Sequence, residues 1–213
     1  MSLNAKTRSF SKTLSLGSVP SIILQKIHSR DLVRSVMLYN LPKKDLLFKL
    51  NYVSLSKSDL EPHFKLPAVV PKGQSGETSV LALVDATGKE LSFLLTKRTQ
   101  LVETHKGQIS FPGGYWEHFD ADILQTALRE TEEEIGILRK GVRPVGQLEK
   151  VKTRGEIWIT PWVAFLEQKA ELKLQKEEVE KVIYLPLEKL IKQGLKKHKI
   201  QMQTFSIMSP GIE

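Results

Sequence analysis

The sequence contains no cysteine, and this absence excludes three kinds of chemistry. There are no disulfides, no thiolate metal site and no cysteine nucleophile, and we expect a reducing compartment. Long apolar runs are also missing, because no stretch approaches the roughly 18 consecutive apolar residues of a membrane-spanning helix. Aromatic residues make up 7% of the chain and do not alternate with basic residues in the stripe that favours nucleic acid. We therefore expect neither a membrane nor a nucleic acid as partner.

What the chain has instead is an excess of positive charge, with 32 lysine and arginine residues against 24 acidic residues and a formal net charge of +8. This sign suits an anionic partner, and phosphorylated metabolites, nucleic acid and acidic lipid all qualify. Much of the excess lies near the two ends, where basic residues precede the first acid, Asp31, and where lysines crowd residues 192–199. The alternative is a solvated basic surface without a specific partner.

The first 35 residues differ in composition from the rest of the chain. They are rich in serine, lysine and arginine, contain no acid before Asp31, and include a short amphipathic stretch at 22–27. This pattern is typical of a mitochondrial transit peptide, although a plain helical or disordered extension has the same composition. We therefore predict an extension at 1–35, a linker or helical lead-in at 36–65 and a domain at 66–213, in a mitochondrial or cytoplasmic protein.

The remaining chain alternates between strand and helix patterns. Residues 79–84 and 91–96 read as two strands joined by a turn, which predicts a hairpin. The clearest helix runs from Asp122 to Ile135, where apolar residues recur at three- and four-residue spacing and Gly136 ends the pattern. Strands on both sides of this helix predict an α/β sandwich. The further predicted elements are strands at 145–151, 157–165 and 182–184 and a helix at 186–193.

The central helix carries four glutamates within five residues, in the segment RETEEEIGI that begins at Arg129. At about 100° per residue, Glu130, Glu133 and Glu134 share one flank of the helix and would repel one another without a cation. Hard oxygen ligands without nitrogen or sulfur select Mg²⁺ or Mn²⁺. Arg129 can pair with Glu133 one turn later and orient the ligands. The alternative for a glutamate-rich helix is a solvated acidic face.

A glycine turn before this helix favours the metal site over the solvated face. The turn is Phe111-Pro112-Gly113-Gly114, and glycine lets the backbone approach a ligand closely. It would bring backbone amides and a helix-bound metal ion to one pyrophosphate. Arg98 and Lys106, upstream of the turn, are candidate donors to substrate phosphates, and the alternative for both is a surface charge.

The segment from Gly114 to Ile137 resembles the Nudix box, whose pattern is G-x5-E-x7-R-E-U-x-E-E-x-G-U, where U is apolar. Two positions depart from this pattern. Thr131 stands at an apolar position, and one extra residue in the first half places Asp120 where the pattern has its first glutamate. The matching residues are Gly114, Arg129, Glu130, Glu133, Glu134, Gly136 and Ile137.

Two segments resemble the coenzyme A diphosphatase branch of this family. The first is LLTKR, which ends at Arg98, and the second is the box variant GGYWEHFDADILQTALRE, which begins at Gly113. The upstream signature departs from the branch at Thr99, where the branch has a small residue, and at Glu103, where it has a second arginine. The replaced arginine leaves ADP-ribose, nucleotide sugars and dinucleotides open as alternative substrates.

The resemblance implies an α/β fold, the Nudix-type α/β/α sandwich with a mixed central sheet. It also implies metal-dependent hydrolysis of the pyrophosphate bond of coenzyme A or its derivatives, giving 3′,5′-ADP and 4′-phosphopantetheine. The partner would be a nucleoside-diphosphate-linked small molecule, bound by a monomer or a homodimer. A non-catalytic nucleotide-binding module on the same fold is the alternative from another functional class.

The same resemblance assigns roles to residues of this chain. Mg²⁺ or Mn²⁺ would be held by Glu130, Glu133 and Glu134, with Arg129 beside them. Glu178, which matches an acidic position in relatives, is a candidate general base or extra ligand, and Glu130 is the next candidate base. The substrate-binding residues would be Arg98, Lys106, Gly113 and Gly114.

Overall fold

The computed structural model describes residues 55–102, 105–153, 155–193, 196–201 and 206–211. The predicted extension at 1–35 and most of the predicted lead-in therefore lie outside the described residues. The helices are α1 (Lys57–Leu60), α2 (Ile123–Ile135) and α3 (Leu187–Gln193), with 3₁₀ turns at Glu61–His63 and Arg139–Gly141. The strands are β1 (Thr78–Asp85), β2 (Ser92–Arg98), β3 (Ile109–Ser110), β4 (Gly113–Tyr115), β5 (Val142–Gln147), β6 (Val151–Lys152), β7 (Trp158–Leu166), β8 (Val179–Pro186), β9 (Lys196–Gln201) and β10 (Ser206–Gly211).

Strands β1 to β8 form one mixed sheet, and β9 and β10 form a separate hairpin. The path through the main sheet is β3-β2-β1-β7-β5, with β4 paired to β1, β6 to β7 and β8 to β2. Strands β1 and β7 are parallel, whereas the other described pairs of this sheet are antiparallel. The predicted mixed sheet and the predicted β1–β2 hairpin are both confirmed.

Helix α2 begins and ends at local signals in the sequence. The side chain of Asp122 accepts a hydrogen bond from the backbone N–H of Gln125 at 2.8 Å, which caps the first turn. Gly136 ends the helix with a φ of 75°, a left-handed conformation that glycine adopts without strain. The predicted helix is therefore confirmed. Its apolar side packs on sheet residues that include Leu81, Leu83, Leu94 and Trp162.

The opposite face of the sheet is covered by α1 and α3. Leu60 from α1 and Leu187 and Leu190 from α3 are each less than 5% exposed, and Leu55 joins them just before α1. They pack on the sheet residues whose side chains alternate away from α2, which include Ala82, Val84, Phe93 and Leu95. Helices on both faces of the sheet confirm the predicted α/β/α sandwich.

The strand predictions were least accurate for the short strands and for the segment after α3. The strand predicted at 145–151 is two strands, β5 and β6, because the chain leaves the sheet between them. Strands β3 and β4 were not predicted, since two or three residues are too few to reveal a period of two. Strands β9 and β10, which follow the last predicted helix, were not predicted either. None of the helices in the described residues has the length and apolar character needed to cross a membrane.

Candidate active site

Two glycines bring the backbone of β4 close to both β1 and α2. Gly113 pairs with Val80, and Gly114 pairs with Ser79. Gly113 has a φ of 151°, and a Cβ atom there would overlap with the carbonyl oxygen of Ser79. A Cβ atom on Gly114 would instead overlap with the carboxylate of Glu130. Gly113 therefore requires glycine, whereas a side chain at Gly114 would push the Glu130 carboxylate aside. The turn meets the acidic helix as the sequence predicts.

Arg129 is the buried centre of a carboxylate network, with only 7% of the residue exposed. Its Nε and Nη2 donate to the two carboxylate oxygens of Asp120 at 2.9 and 3.1 Å. Its Nη1 donates to Glu130 and Glu133, both at 2.9 Å, and Nη2 also donates to the carbonyl of Tyr115 at 3.0 Å. The predicted Arg129–Glu133 pair is confirmed, and one guanidinium orients three carboxylates.

Asp120 anchors this network. Besides Arg129, its carboxylate accepts hydrogen bonds from the Thr126 hydroxyl at 2.9 Å and from the backbone N–H of Glu117 at 3.1 Å. Burial opposes ionisation of Asp120, but these bonds outweigh it and lower the pKa of the carboxyl below its usual value. The hydrogen bond with Asp120 likewise raises the pKa of Arg129. Asp120, at the position of the first box glutamate, therefore stays ionised and fixes Arg129.

Glu130 carries a charge that its neighbours do not fully compensate. Burial raises the pKa of its carboxyl, and the negative charges of Glu133 and Glu178 raise it further. Arg129 acts in the opposite direction without reversing the shift. A carboxylate whose charged form is disfavoured gains from a cation placed beside it. The influence of Glu178 also places that residue near α2, although the two are far apart in sequence.

The other two glutamates of α2 differ in their surroundings. The side chain of Glu133 is 52% exposed, whereas the whole residue Glu134 is 4% exposed. The hydroxyl of Thr96 donates to Oε2 of Glu134 at 3.4 Å. In the described part of the chain, no three acidic or histidine side chains already converge as a ligand set. Glu130 and Glu133 are instead held by Arg129.

The chemistry of these side chains nevertheless fits a hard divalent cation. Each of the three glutamates offers carboxylate oxygens, the ligands that Mg²⁺ and Mn²⁺ prefer. The incompletely compensated charge on Glu130 would be neutralised by such an ion. The missing side chain of Gly114 also keeps the backbone open beside the Glu130 carboxylate. Glu130, Glu133 and Glu134 are thus the residues that could hold the metal.

Further charged residues meet where β2 ends and β8 begins. The register of this strand pair shifts between Lys97 and Arg98. Nη1 of Arg98 lies 4.0 Å from Oε2 of Glu178, and the carbonyl of Glu178 accepts from the backbone N–H of Thr99 at 2.9 Å. The Arg98 side chain is 16% exposed, and its buried Nε has no hydrogen-bond partner among the described residues. Arg98 therefore retains a donor for an anion such as a phosphate.

Two residues that the sequence singles out keep untested roles. Lys106 is exposed in the loop between β2 and β3, so its assignment to substrate phosphate stays a prediction. Glu103, which replaces an arginine of the upstream signature, lies outside the described residues. Its effect on substrate choice also stays a prediction.

Comparison with known proteins decides the family. The NUDIX domain model matches residues 76–205, a range that includes the glycine turn, the carboxylate network and Glu178. The chain belongs to the NUDIX domain family. The predicted Nudix resemblance is therefore confirmed over more than half of the sequence.

Several Nudix proteins are similar to this chain. A protein of Photorhabdus laumondii named uncharacterized Nudix hydrolase NudL is 38% identical over 96 residues, which cover 45% of this chain and 51% of the relative. Mouse peroxisomal coenzyme A diphosphatase NUDT7 is 32% identical over 114 residues, 54% of this chain and 48% of the relative. A structure of a Caenorhabditis elegans Ap4A hydrolase binary complex aligns with a TM-score of 0.46 and 22% identity, over 55% of this chain and 84% of that one. The chain thus spans about half the length of these two curated Nudix relatives.

Sequence reasoning missed two contacts of this Nudix site. It noted that Asp120 stands in the first glutamate position but did not predict its pairing with Arg129. It did not single out Thr96, although one signal was available. Leu94 and Thr96 lie two residues apart on β2 and so share the face that packs on α2.

Proposed function

We propose that this protein hydrolyses the pyrophosphate bond of coenzyme A or its derivatives with the help of a divalent metal ion, giving 3′,5′-ADP and 4′-phosphopantetheine. The observation that carries the proposal is the half-buried Glu130 carboxylate against Gly114, beside the Arg129 network and the buried Glu134. The choice of coenzyme A is supported by the LLTKR and GGYWEHFDADILQTALRE segments. It is also supported by similarity to the mouse protein named coenzyme A diphosphatase.

In the proposed reaction, water adds to one phosphorus of the pyrophosphate and the bond from that phosphorus to the bridging oxygen breaks. Mg²⁺ or Mn²⁺, bound by Glu130, Glu133 and Glu134, would act as a Lewis acid and lower the pKa of a bound water. Arg129 keeps two of these carboxylates oriented through its hydrogen bonds. Negative charge builds up on the phosphate oxygens during the reaction, and oriented donors stabilise it.

Other residues would bind the substrate and move the proton. Arg98 is suited to a substrate phosphate because its Nε is buried and unpartnered in the described part of the chain. Lys106 would add a second cationic contact, and the backbone at Gly113 and Gly114 allows close approach of the pyrophosphate. Glu178, 4.0 Å from Arg98, is the proposed general base that takes a proton from the attacking water.

A diphosphate other than coenzyme A is the alternative substrate for the same Nudix reaction. Glu103 stands where the coenzyme A branch has an arginine, which favours a different diphosphate such as ADP-ribose, a nucleotide sugar or a dinucleotide. We further propose that the protein acts as a monomer or homodimer in mitochondria or the cytoplasm.

The proposed function is tested by offering the full chain a mixture of coenzyme A, ADP-ribose, a nucleotide sugar and a dinucleotide, with Mg²⁺ or Mn²⁺, in ¹⁸O-labelled water. Mass spectrometry of the products identifies both the substrate and the attacked phosphorus. We expect 3′,5′-ADP and 4′-phosphopantetheine to dominate. Hydrolysis of another member of the mixture would retain the Nudix reaction but reject coenzyme A, and binding without turnover would favour the non-catalytic module.

Glu134→Gln provides the matched inactive variant because it removes a charge at constant shape. We expect turnover to fall by about 10²–10³-fold, the usual loss when one electrostatic contributor to the transition state is removed. The circular dichroism spectrum should stay unchanged. An unchanged rate at saturating Mg²⁺ would remove Glu134 from the metal site.

A further inference from the structure

The Thr96 hydroxyl lies where strand β2 packs on the glutamate helix. Phe93 and Leu95 point into the core under α1 and α3, whereas Leu94 points into the core under α2. Side chains alternate along a strand, so Thr96 faces α2 directly beyond Leu94. Only 2% of Thr96 is exposed, and its hydroxyl is therefore shielded from bulk water.

This hydroxyl has one proton and two neighbouring acceptors. Oγ1 of Thr96 lies 3.4 Å from Oε2 of Glu134 and 3.4 Å from the carbonyl oxygen of Ser110. Ser110 is the residue on β3 that pairs with Thr96. A hydroxyl donates a single hydrogen bond at a time. Hydrogen bonds to an ionised carboxylate are about twice as strong as bonds between neutral groups. Donation to Glu134 is therefore favoured whenever that residue is ionised.

The backbone around Glu134 is fixed independently of Thr96. The carbonyl of Glu134 accepts from the backbone N–H of Gln175 at 3.1 Å, and the carbonyl of Ile135 accepts from Lys173 at 2.9 Å. These bonds tie the last turn of α2 to the segment that precedes β8. The contact with Thr96 acts on the Glu134 side chain and restricts its rotation.

We propose that Thr96 is a positioning residue that holds the Glu134 carboxylate in the orientation from which it binds a divalent cation. The inference rests on the proposed function, because it takes Glu134 as a metal ligand. It adds a residue from outside the glutamate helix to the construction of the metal site. Outer partners of metal ligands typically contribute about 10–100-fold in metal affinity or activity.

The chain offers a closely matched set of variants. Thr96→Val removes the hydroxyl at nearly constant volume and keeps the β-branched shape, whereas Thr96→Ser keeps the hydroxyl. Thr160→Val is the control, because Thr160 on β7 is 0% exposed and its Oγ1 has no hydrogen-bond partner among the described residues. The same substitution there removes a buried hydroxyl that orients no other group in the described part of the chain.

The test is titration of the full chain with Mn²⁺, without substrate, by isothermal calorimetry. We expect Thr96→Val to weaken Mn²⁺ binding by about 10–100-fold, while Thr96→Ser and Thr160→Val bind like the unsubstituted protein. In a Glu134→Gln background, Thr96→Val should cause no further loss, because the two residues act through one contact. Melting in EDTA checks that each variant folds, and Thr96→Ala replaces Thr96→Val if the latter does not.

Three results would overturn the inference. Thr96→Val could bind Mn²⁺ as tightly as the unsubstituted protein, Thr160→Val could weaken binding equally, or Thr96→Val could cause its full loss in the Glu134→Gln background. Failure of the proposed function gives a different result. In that case the unsubstituted protein itself would not bind Mn²⁺, or would bind it without hydrolysing any diphosphate.

Discussion

The two faces of the central sheet are built from different kinds of residue. The face under α1 and α3 is filled by apolar side chains such as Val84, Phe93 and Phe165. The face under α2 has an apolar core as well, but polar and charged groups are buried beside it. Burying a charge costs free energy unless it is paired, so these groups are not there for stability alone. They include Thr96, Asp120, Thr126, Arg129, Thr131 and Glu134.

This difference indicates that one face of the sheet mainly stabilises the fold, whereas the other positions the side chains of the site. The α1–α3 face contributes burial of apolar surface, which stabilises the fold without constraining any chemistry. The α2 face gives up part of that stabilisation to hold carboxylates in fixed orientations near solvent. Substitutions on the two faces should therefore separate stability from activity.

The largest effect is expected for Asp120→Asn, which breaks the α2 face at its anchor. The Asp120 and Arg129 side chains are 2% and 8% exposed, and removing one member of a buried ion pair costs about 3–5 kcal/mol. Arg129 would also lose the partner that orients it toward Glu130 and Glu133. We expect a lower free energy of unfolding in urea together with reduced turnover at 25 °C.

An exposed ion pair provides the control for Asp120→Asn. Glu167 pairs with Arg143 at 2.7 Å, but both side chains are 41% exposed. Exposed pairs contribute about 0–1 kcal/mol, so Glu167→Gln should change neither unfolding nor turnover appreciably. Equal losses from Asp120→Asn and Glu167→Gln would contradict the special place of the buried network.

A smaller effect, confined to stability, is expected for Leu60→Ala on the opposite face. Leu60 is 1% exposed in the core under α1, and such truncations cost about 2–5 kcal/mol. Among the described residues, none of the proposed active-site residues belongs to this core cluster. Urea unfolding should shift strongly while kcat, measured where the variant is fully folded, stays unchanged. A fall in kcat comparable with that of Asp120→Asn would mean that the two faces are not separable.

The smallest effect concerns Glu130 in the metal-free protein and has the opposite sign. Burial raises the pKa of Glu130, so the folded protein binds this proton more tightly than the unfolded chain does. Metal-free protein therefore loses stability as the pH rises from the ordinary glutamate pKa through the raised pKa. Glu130→Gln cannot ionise and should melt slightly higher in EDTA at neutral pH, while turnover is lost.

The measurement is the melting temperature of both proteins in EDTA across the carboxyl range of pH. The unsubstituted protein should approach Glu130→Gln as the pH falls toward the ordinary glutamate pKa. A variant that melts lower than the unsubstituted protein at neutral pH would show that the Glu130 charge is already well compensated.

Local signals explain what the sequence predicted well. The cap at Asp122, the left-handed Gly136 and the apolar spacing between them lie within one helix, so α2 was predicted almost to the residue. The Arg129–Glu133 contact follows from helical spacing alone. The glycine turn was also predictable, because two adjacent glycines allow the backbone to approach its neighbours closely just before the acidic helix.

Contacts between distant segments were harder to predict. Thr96 reaches Glu134 across 38 positions, and Arg98 approaches Glu178 only because β2 pairs with β8. The parallel pairing of β1 with β7 likewise depends on the whole fold rather than on either strand. Helical spacing places Glu133 and Glu134 next to each other on α2. It does not show that the rest of the fold covers Glu134 and leaves Glu133 exposed.

The most direct test of the metal site is a crystal of the protein grown with Mn²⁺ and examined by anomalous diffraction. We predict a manganese peak among the carboxylates of Glu130, Glu133 and Glu134, next to the backbone of Gly114. Absence of a peak there at saturating Mn²⁺, with Glu130 still bonded to Arg129 and Glu134 to Thr96, would contradict the assignment of α2 as the metal-binding helix.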